Sequence, residues 1–308
     1  MKVLVTGSSG FIGQALLPKL REKYEIYELV SDLTNHSDVE TEVNSIKPDI
    51  IVHLAARTEV EKSFYEQISF SEINYIGTVN LIESAKTVKN LKNFVFASTM
   101  EVYGWQPISD EIEHTGMYTE RVTFDENTTP NPNAPYAVAK YGCEKYLEYA
   151  HRSLGLPFTA IRQTNCFGRT DNNFFVTEAI ISRMLQNPNE IDMGYAKPWR
   201  NFIYVEDLID AWMAVIDNWN IVNTGKIFTI GPDNAISIQN YVEKIATKLH
   251  WQGKINWNKQ PNRDGEIYWL NSNHNLITQL LGWEPKISLD KGLDKTIEVW
   301  KEKYKNDD

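Results

Sequence analysis

Cysteine is scarce: Cys143 and Cys166 are the only two in 308 residues. They cannot build a disulfide framework, and their spacing is not that of a metal site, so no metal is expected. No apolar run approaches the roughly 18 residues of a membrane span. The Val3-Leu4-Val5 run after Lys2 is too short for a signal peptide. Bases are outnumbered, with 31 lysines and arginines against 41 acids and a net charge of −10. That balance is the reverse of a dedicated nucleic-acid binder's. The expectation is a cytoplasmic protein with no membrane and no nucleic-acid partner. Internal repeats and low-complexity tracts are also missing. What remains is long enough to bury one large α/β domain or two smaller lobes.

Short β-branched apolar runs read as buried strands: Val3–Val5, Ile50–Leu54, Phe94–Ala97, Phe158–Ile161 and Ile227–Ile230. Ile26–Val30, broken by Glu28, is a weaker one. Helical patterns lie between them over Phe11–Glu22, Ile73–Ala85 and Tyr136–His151. Pro18 predicts a kink in the first. Strand and helix in alternation predict a parallel sheet covered on both faces. Trp105–Pro135 is polar and turn-rich. Seven acids and one base fall between Glu101 and Glu126. A loop of that length either covers a site or is a solvated excursion. Asn172–Asn201 and Asp233–Asp308 are richer in Trp, Asn and Pro and suggest a second, smaller lobe.

Thr6-Gly7-Ser8-Ser9-Gly10-Phe11-Ile12-Gly13 follows the first strand and opens the first helix. Gly7 allows a tight turn, Gly10 lets backbone approach a pyrophosphate, and Gly13 lets helix and strand pack closely. The helix N-terminus then offers its unpaired N–H groups to phosphates. Asp32 stands 19 residues after Gly13, where an acid is expected on the adenosine ribose. It serves equally well as a turn cap before Thr34. Nothing basic follows nearby, which disfavours a 2′-phosphate.

Tyr136 and Lys140 are spaced i, i+4 and share one helix face. A free tyrosine has a pKa of about 10 and is a poor base. A cation held close favours the phenolate, and the pair can then move a proton on and off a hydroxyl. Tyr141 and Lys145 have the same spacing but point elsewhere, so they read as a surface or interface feature. Cys143 reads as helix packing and His53 as structural. Trp105, Trp199 and Trp269 are candidates to stack on a nucleotide base, with core packing their usual role.

These segments, taken in order, resemble the extended short-chain dehydrogenase/reductases, and within them the nucleotide-sugar epimerase/dehydratase group. The glycine loop, Asp32-Leu33, His53-Leu-Ala-Ala56, Asn74-Tyr-Ile-Gly-Thr78, Ser98-Thr-Met-Glu-Val-Tyr-Gly104 and Tyr136…Lys140 carry the likeness. So do Arg162…Asn165…Gly168, Trp199-Arg200…Asp207, Arg263-Asp-Gly-Glu266 and Leu281-Gly-Trp-Glu-Pro285. The resemblance implies an α/β, Rossmann-type doubly wound parallel sheet with a smaller C-terminal substrate lobe. Residues 1–170, with a return over 201–232, are expected to bind the dinucleotide. Residues 171–200 and 233–308 are expected to bind the nucleotide sugar.

It further implies NAD as cofactor, with NADP open. Its contacts are expected at Gly7, Gly10, Phe11, Ile12, Gly13, Asp32, Leu33, Leu54, Ala55, Ala56, Ser98, Tyr136 and Lys140. Substrate contacts are expected at Thr99, Asn165, Arg200, Arg263 and Glu266, and catalysis at Thr99, Glu101, Tyr136 and Lys140. A homodimer built from the helix after Ser71 and the helix from Tyr136 is also implied. The 4,6-dehydratases of the group keep an acid or serine before the glutamate that matches Glu101. Here Met100 stands there and cannot relay a proton. Glu101 is then either a base or a local hydrogen-bonding group. The resemblance therefore leads to 4-epimerisation through a 4-keto sugar, with 4-ketoreductase and 4,6-dehydratase as alternatives. A non-catalytic dinucleotide-binding regulator is the remote one, since such proteins commonly lose the Tyr/Lys pair.

Overall fold

The computed structural model describes residues 1–104, 122–260 and 266–306. Five strands come in chain order: β1 (Lys2–Thr6), β2 (Glu25–Glu28), β3 (Ile50–His53), β4 (Asn93–Thr99) and β5 (Phe158–Gln163). A sixth, Thr224–Ile230, returns to pair with β5. All pairings are parallel, and the order runs Thr224–Ile230, β5, β4, β3, β1, β2. The chain leaves β1 toward β2 and then crosses to β3 on the other side. That reversal opens a crevice beyond the carboxyl ends of β1 and β3, the usual ligand position in such sheets.

Each strand alternates between two cores. Val3, Val5, Ile50, Val52 and Val95 face helix α1 (Phe11–Arg21) and the helix Val205–Asp217. Leu4, Ile51, Phe94 and Phe96 face α2 (His36–Ile46) and the helices Gly77–Ala85 and Pro135–Leu154. Burial on both faces is why these strands read as unbroken apolar runs. Trp212, fully buried, anchors the first core, and its indole donates to Gln163 Oε1 at 3.0 Å. α1 continues through Pro18, which lies on its exposed side. The missing N–H there is lost to solvent rather than to the core.

The helix expected over Ile73–Ala85 begins differently. Ser71–Ile76 forms a wider π turn before the α-helix Gly77–Ala85. Asn74 explains what that turn accomplishes. Its side chain accepts from Arg57 N at 2.8 Å and donates to Arg57 O at 2.9 Å. Its carbonyl accepts from Thr78 Oγ1 and from Cys143 Sγ. Such single-turn bulges often sit beside functional sites.

A third core joins the helices Val176–Gln186, Ile238–Leu249 and Leu289–Asn306. It also takes in Phe167 and Phe202 from the neighbouring strands. Phe202 stacks on Tyr241 with centroids 3.9 Å apart. After the undescribed residues 105–121, the chain is pinned again. Phe124 N donates to Asn271 O at 2.7 Å, and Glu126 Oε1 accepts from Thr229 N at 2.7 Å. Most of the acidic Trp105–Pro135 excursion lies outside the described residues.

Replacing Trp212 with alanine is expected to cost about 3–5 kcal/mol in urea unfolding, the range for a buried large aromatic. A loss below about 1 kcal/mol would show that this helix is not packed on the sheet as described.

Candidate active site

The glycine loop is built by steric exclusion. Gly7 has φ +70°, and a Cβ there would lie 2.6 Å from Ala55 N. A Cβ on Gly13 would lie 2.4 Å from Gly7 O. The backbone after β1 is thus pressed against the backbone after β3. Gly10 N donates to Gly7 O at 3.1 Å, and Gly10 caps α1 with no side chain. No acid occupies the first turn of α1. Its N-terminal N–H groups therefore have no competing anion, the arrangement a dinucleotide pyrophosphate needs.

A cavity of about 460 Å³ opens above this loop. Gly7, Gly10, Phe11, Ile12 and Gly13 line one side, with Leu54 and Ala56 from the end of β3. Ala55 stands behind them, its N–H donating to Thr6 Oγ1 at 3.2 Å. His53 fixes this junction. Its ring nitrogens meet Thr6 Oγ1 at 2.6 Å and Thr78 Oγ1 at 2.8 Å. Burial, aided by the Lys140 charge, pushes its pKa down to about 3, so it is neutral.

Thr99, Glu101, Tyr136, Lys140 and Asn165 line the same cavity. β4 delivers Thr99, and the tight turn Met100–Tyr103 follows it. Thr99 Oγ1 accepts from Glu101 N at 3.2 Å. Pro135 opens the helix that carries Tyr136, a favoured place for proline. Lys140 Nζ donates to Ala97 O at 2.9 Å and lies over the Phe96 ring. Burial raises the Tyr136 pKa well above its ordinary value, and the Glu101 charge raises it further. A hydrogen bond from Thr99 opposes them. In the free protein the net direction is therefore upward rather than the expected lowering, set by desolvation and a nearby carboxylate.

Other expected contacts lie elsewhere. Asp32 is an exposed turn cap, accepting from Thr34 N at 2.9 Å and Thr34 Oγ1 at 2.8 Å. Those bonds lower its pKa. Leu33 packs into the core, and its carbonyl accepts from Asn80 Nδ2 at 2.8 Å. Neither lines the cavity. Ser98 lines it, but its hydroxyl turns away to donate to Glu144. Arg200 Nη2 donates to Glu266 Oε1 at 2.7 Å, and this pair stands outside the lining. Trp199 and Trp269 pack against each other there at a tilt, with ring centroids 5.5 Å apart. Arg263 and Trp105 lie outside the described residues. Tyr141 and Lys145 contact each other at the surface, and Cys143 is buried in helix packing.

Comparison with known proteins agrees with this geometry. A family model described as the NAD dependent epimerase/dehydratase family matches residues 3–231. The chain belongs to that family. It is 28% identical to a dTDP-D-glucose 4,6-dehydratase of Dictyostelium discoideum, over 99% of this chain and 82% of that one. It is 34% identical to a GDP-6-deoxy-D-talose 4-dehydrogenase of Aggregatibacter actinomycetemcomitans, with 68% of each chain covered. Its structure is similar to that of a UDP-glucose 4-epimerase of Thermotoga maritima solved with UDP-glucose. The TM-score is 0.85 at 25% identity, covering 99% of this chain and 100% of that one.

The epimerase/dehydratase family is NAD-dependent by its own description. Among the described residues, no helix is long and apolar enough to cross a membrane. Nor does any group of His, Cys, Asp or Glu there form a metal site. This family member also places Arg169 and Glu178 in the cavity wall, which the motifs did not single out. Arg169 follows Gly168 directly, so its position was visible in the sequence. Its direction was not.

Burial pushes Lys140 down to about 8 from its usual 10.5. Between those values the unfolded chain holds a proton that the folded chain has released, so this group makes stability rise with pH. The unfolding free energy of wild type minus that of Lys140→Met is expected to grow from about pH 8 to about pH 10 in urea titrations. Taking the difference removes Cys166, which burial pushes up to about 12 and on which the Lys140 charge does not act. A flat difference would contradict a buried Lys140.

Proposed function

We propose that this protein converts a nucleotide-activated sugar through a 4-keto intermediate and that its net reaction is 4-epimerisation. NAD is the proposed hydride carrier, with NADP as the alternative. Residues 1–170 and 201–232 are assigned to the cofactor, and 171–200 and 233–308 to the nucleotide sugar.

One observation carries the choice of reaction. Met100 is buried beside Glu101, and the Thr164 hydroxyl lies 2.7 Å from its sulfur. Expelling a hydroxyl from the sugar needs a proton donor as well as a base. A thioether donates none. Epimerisation asks only for proton exchange at the 4-oxygen, and Thr99, Tyr136 and Lys140 suffice for that. The glycine cradle supports the cofactor assignment: Gly7, Gly10, Phe11, Ile12 and Gly13 would hold the pyrophosphate, and Leu54 and Ala56 would flank it. NAD, when bound, supplies a reversible hydride acceptor and, in its oxidised form, a positive charge.

Tyr136 holds its proton in the free protein. It is therefore set to give that proton to a keto oxygen, and positive charge in the cavity lets it take one from a hydroxyl. Thr99 hydrogen-bonds the same oxygen, and Asn165 borders the sugar. Glu101 keeps the phenol protonated until that charge arrives.

A second reading, 4-ketoreduction, is favoured by the 34% identity to a 4-dehydrogenase of a GDP-sugar. Incubation with a panel of nucleotide sugars and 4-keto sugars, followed by product identification by NMR, separates the readings. Turnover without added cofactor supports epimerisation, while a strict demand for NADPH overturns it in favour of reduction. A 4-keto-6-deoxy product would establish dehydration instead. Tyr136→Phe is expected to lose about 100-fold or more of the turnover while dinucleotide binding stays intact. A variant as active as wild type would sink the enzyme assignment.

The proposal includes a cytoplasmic homodimer. Ile76, Val138 and Tyr149 are exposed apolar side chains on the two segments expected to pair. Light scattering is expected to give twice the mass of the chain, and a monomer would refute the pairing.

A further inference from the structure

The cavity presents a charge problem to any diphosphate. Glu59, Glu101, Asp171 and Glu178 all line it. Among the described residues only two cations do so, Lys140 and Arg169. Lys140 is committed to Ala97 O. Arg200, expected on the substrate, is paired with Glu266 outside the lining. Arg169 is what remains.

Its setting is that of a poised donor. The guanidinium carbon lies 4.2 Å from the centroid of the Phe11 ring and 3.8 Å from that of Phe175. Phe11 opens α1 in the glycine loop, and Phe175 caps the helix Val176–Gln186. One side chain therefore touches both the cofactor side and the substrate side of the cavity. Stacking holds the plane of the guanidinium without consuming its N–H groups. Nη1 donates to Cys166 O at 2.7 Å. The nearest carboxylate oxygen, Glu178 Oε2, is 3.6 Å from Nη1, too long for a hydrogen bond. Arg169 Nε and Glu178 Oε2 are both buried with no hydrogen-bond partner. The Arg169 side chain is only 10% exposed. Glu178 Oε1 is taken by the N–H groups of Gly168 and Arg169, each at 2.9 Å, so this carboxylate faces the cation only across a longer ion pair.

We infer that Arg169 is a diphosphate-binding residue whose guanidinium takes phosphate oxygens at the junction of the two sides. Planar guanidinium groups match phosphate geometry, and a buried one with an open donor is the strong form of that contact. Two ligands share this chemistry: the diphosphate of a nucleotide sugar and the pyrophosphate of the dinucleotide. The first source rests on the nucleotide-sugar reading above, and the second does not.

The test titrates wild type, Arg169→Met and Arg169→Lys by calorimetry. One arm uses UDP, dTDP and GDP, the other NAD and NADPH, each at low and high salt. Circular dichroism melts check folding. Arg169→Met is expected to weaken one arm by roughly 10- to 100-fold and to flatten its salt dependence. Arg169→Lys is expected to lose less and to keep the salt dependence, because the charge remains and the fork does not. Loss confined to the nucleoside diphosphates assigns Arg169 to the sugar nucleotide. Loss confined to the dinucleotides assigns it to the cofactor. Both support the proposal. Unchanged affinities in both arms overturn it. If Arg169→Met fails to fold, Arg169→Lys decides alone, and affinities equal to wild type overturn the proposal. Wild type that binds NAD but no nucleoside diphosphate overturns the nucleotide-sugar reading, and the dinucleotide arm still decides Arg169.

Discussion

A buried carboxylate, Glu144, holds the site together. It is fully buried and receives Arg162 through Nε at 3.0 Å and Nη2 at 2.7 Å. Ser98 donates to the same carboxylate. β4, β5 and the helix Pro135–Leu154 thus meet at one charge. Arg162 also reaches the Tyr103 hydroxyl at 3.2 Å, which carries the link into the turn after Glu101. A buried ion pair of this kind is a poor source of net stability, since hydrophobic replacements often do as well. What it supplies here is position. Tyr136, Lys140 and Glu144 are spaced four residues apart along one helix, each rotated about 40° from the last. With Glu144 locked to the sheet, Lys140 falls over Ala97 and Tyr136 falls beside Thr99.

That same polar stripe explains the departure in the tyrosine's behaviour. A cation four residues away was reason enough to expect a lowered pKa. Both side chains are buried, however, and each pays desolvation in opposite directions. Lys140 relieves its own burial with the Ala97 carbonyl. Tyr136 is left with Thr99 as a helper and Glu101 as an opponent. The free protein therefore stores a protonated phenol beside an easily deprotonated amine.

Much of the fold was legible because it is local. Strand runs such as Ile50–Val52 are apolar throughout since both of their faces are covered, and Gly7 and Gly13 sit where a Cβ collides with backbone. The helix bearing Tyr136 starts at a proline and ends at Gly155 in the left-handed region, both readable signals. The site was less legible because its details depend on which way a side chain turns. Ser98 and Asp32 occupy expected positions, yet Glu144 and Thr34 claim their polar atoms. Arg200 and Glu266, expected on the substrate, pair with each other across 66 residues, a contact no local pattern encodes. The π turn at Ser71–Ile76 depends on Arg57 and Cys143, contacts no helical periodicity encodes.

Met100 connects these constraints to the chemistry. Its side chain is only 1% exposed, so a carboxylate at that position would be desolvated next to Glu101. Two carboxylates that close resist ionising together, and a second negative charge would drive the Tyr136 phenol still higher. Sulfur avoids both penalties and gives the Thr164 hydroxyl a soft neighbour, while the Asn201 carbonyl at 2.8 Å takes its hydrogen bond. Glu101 thus has no second acid beside it at position 100, and in the proposed reaction Tyr136 would bear the proton traffic. The proposed epimerisation suits this arrangement, because one proton goes out and one comes back. Elimination, which needs a separate donor, suits it least.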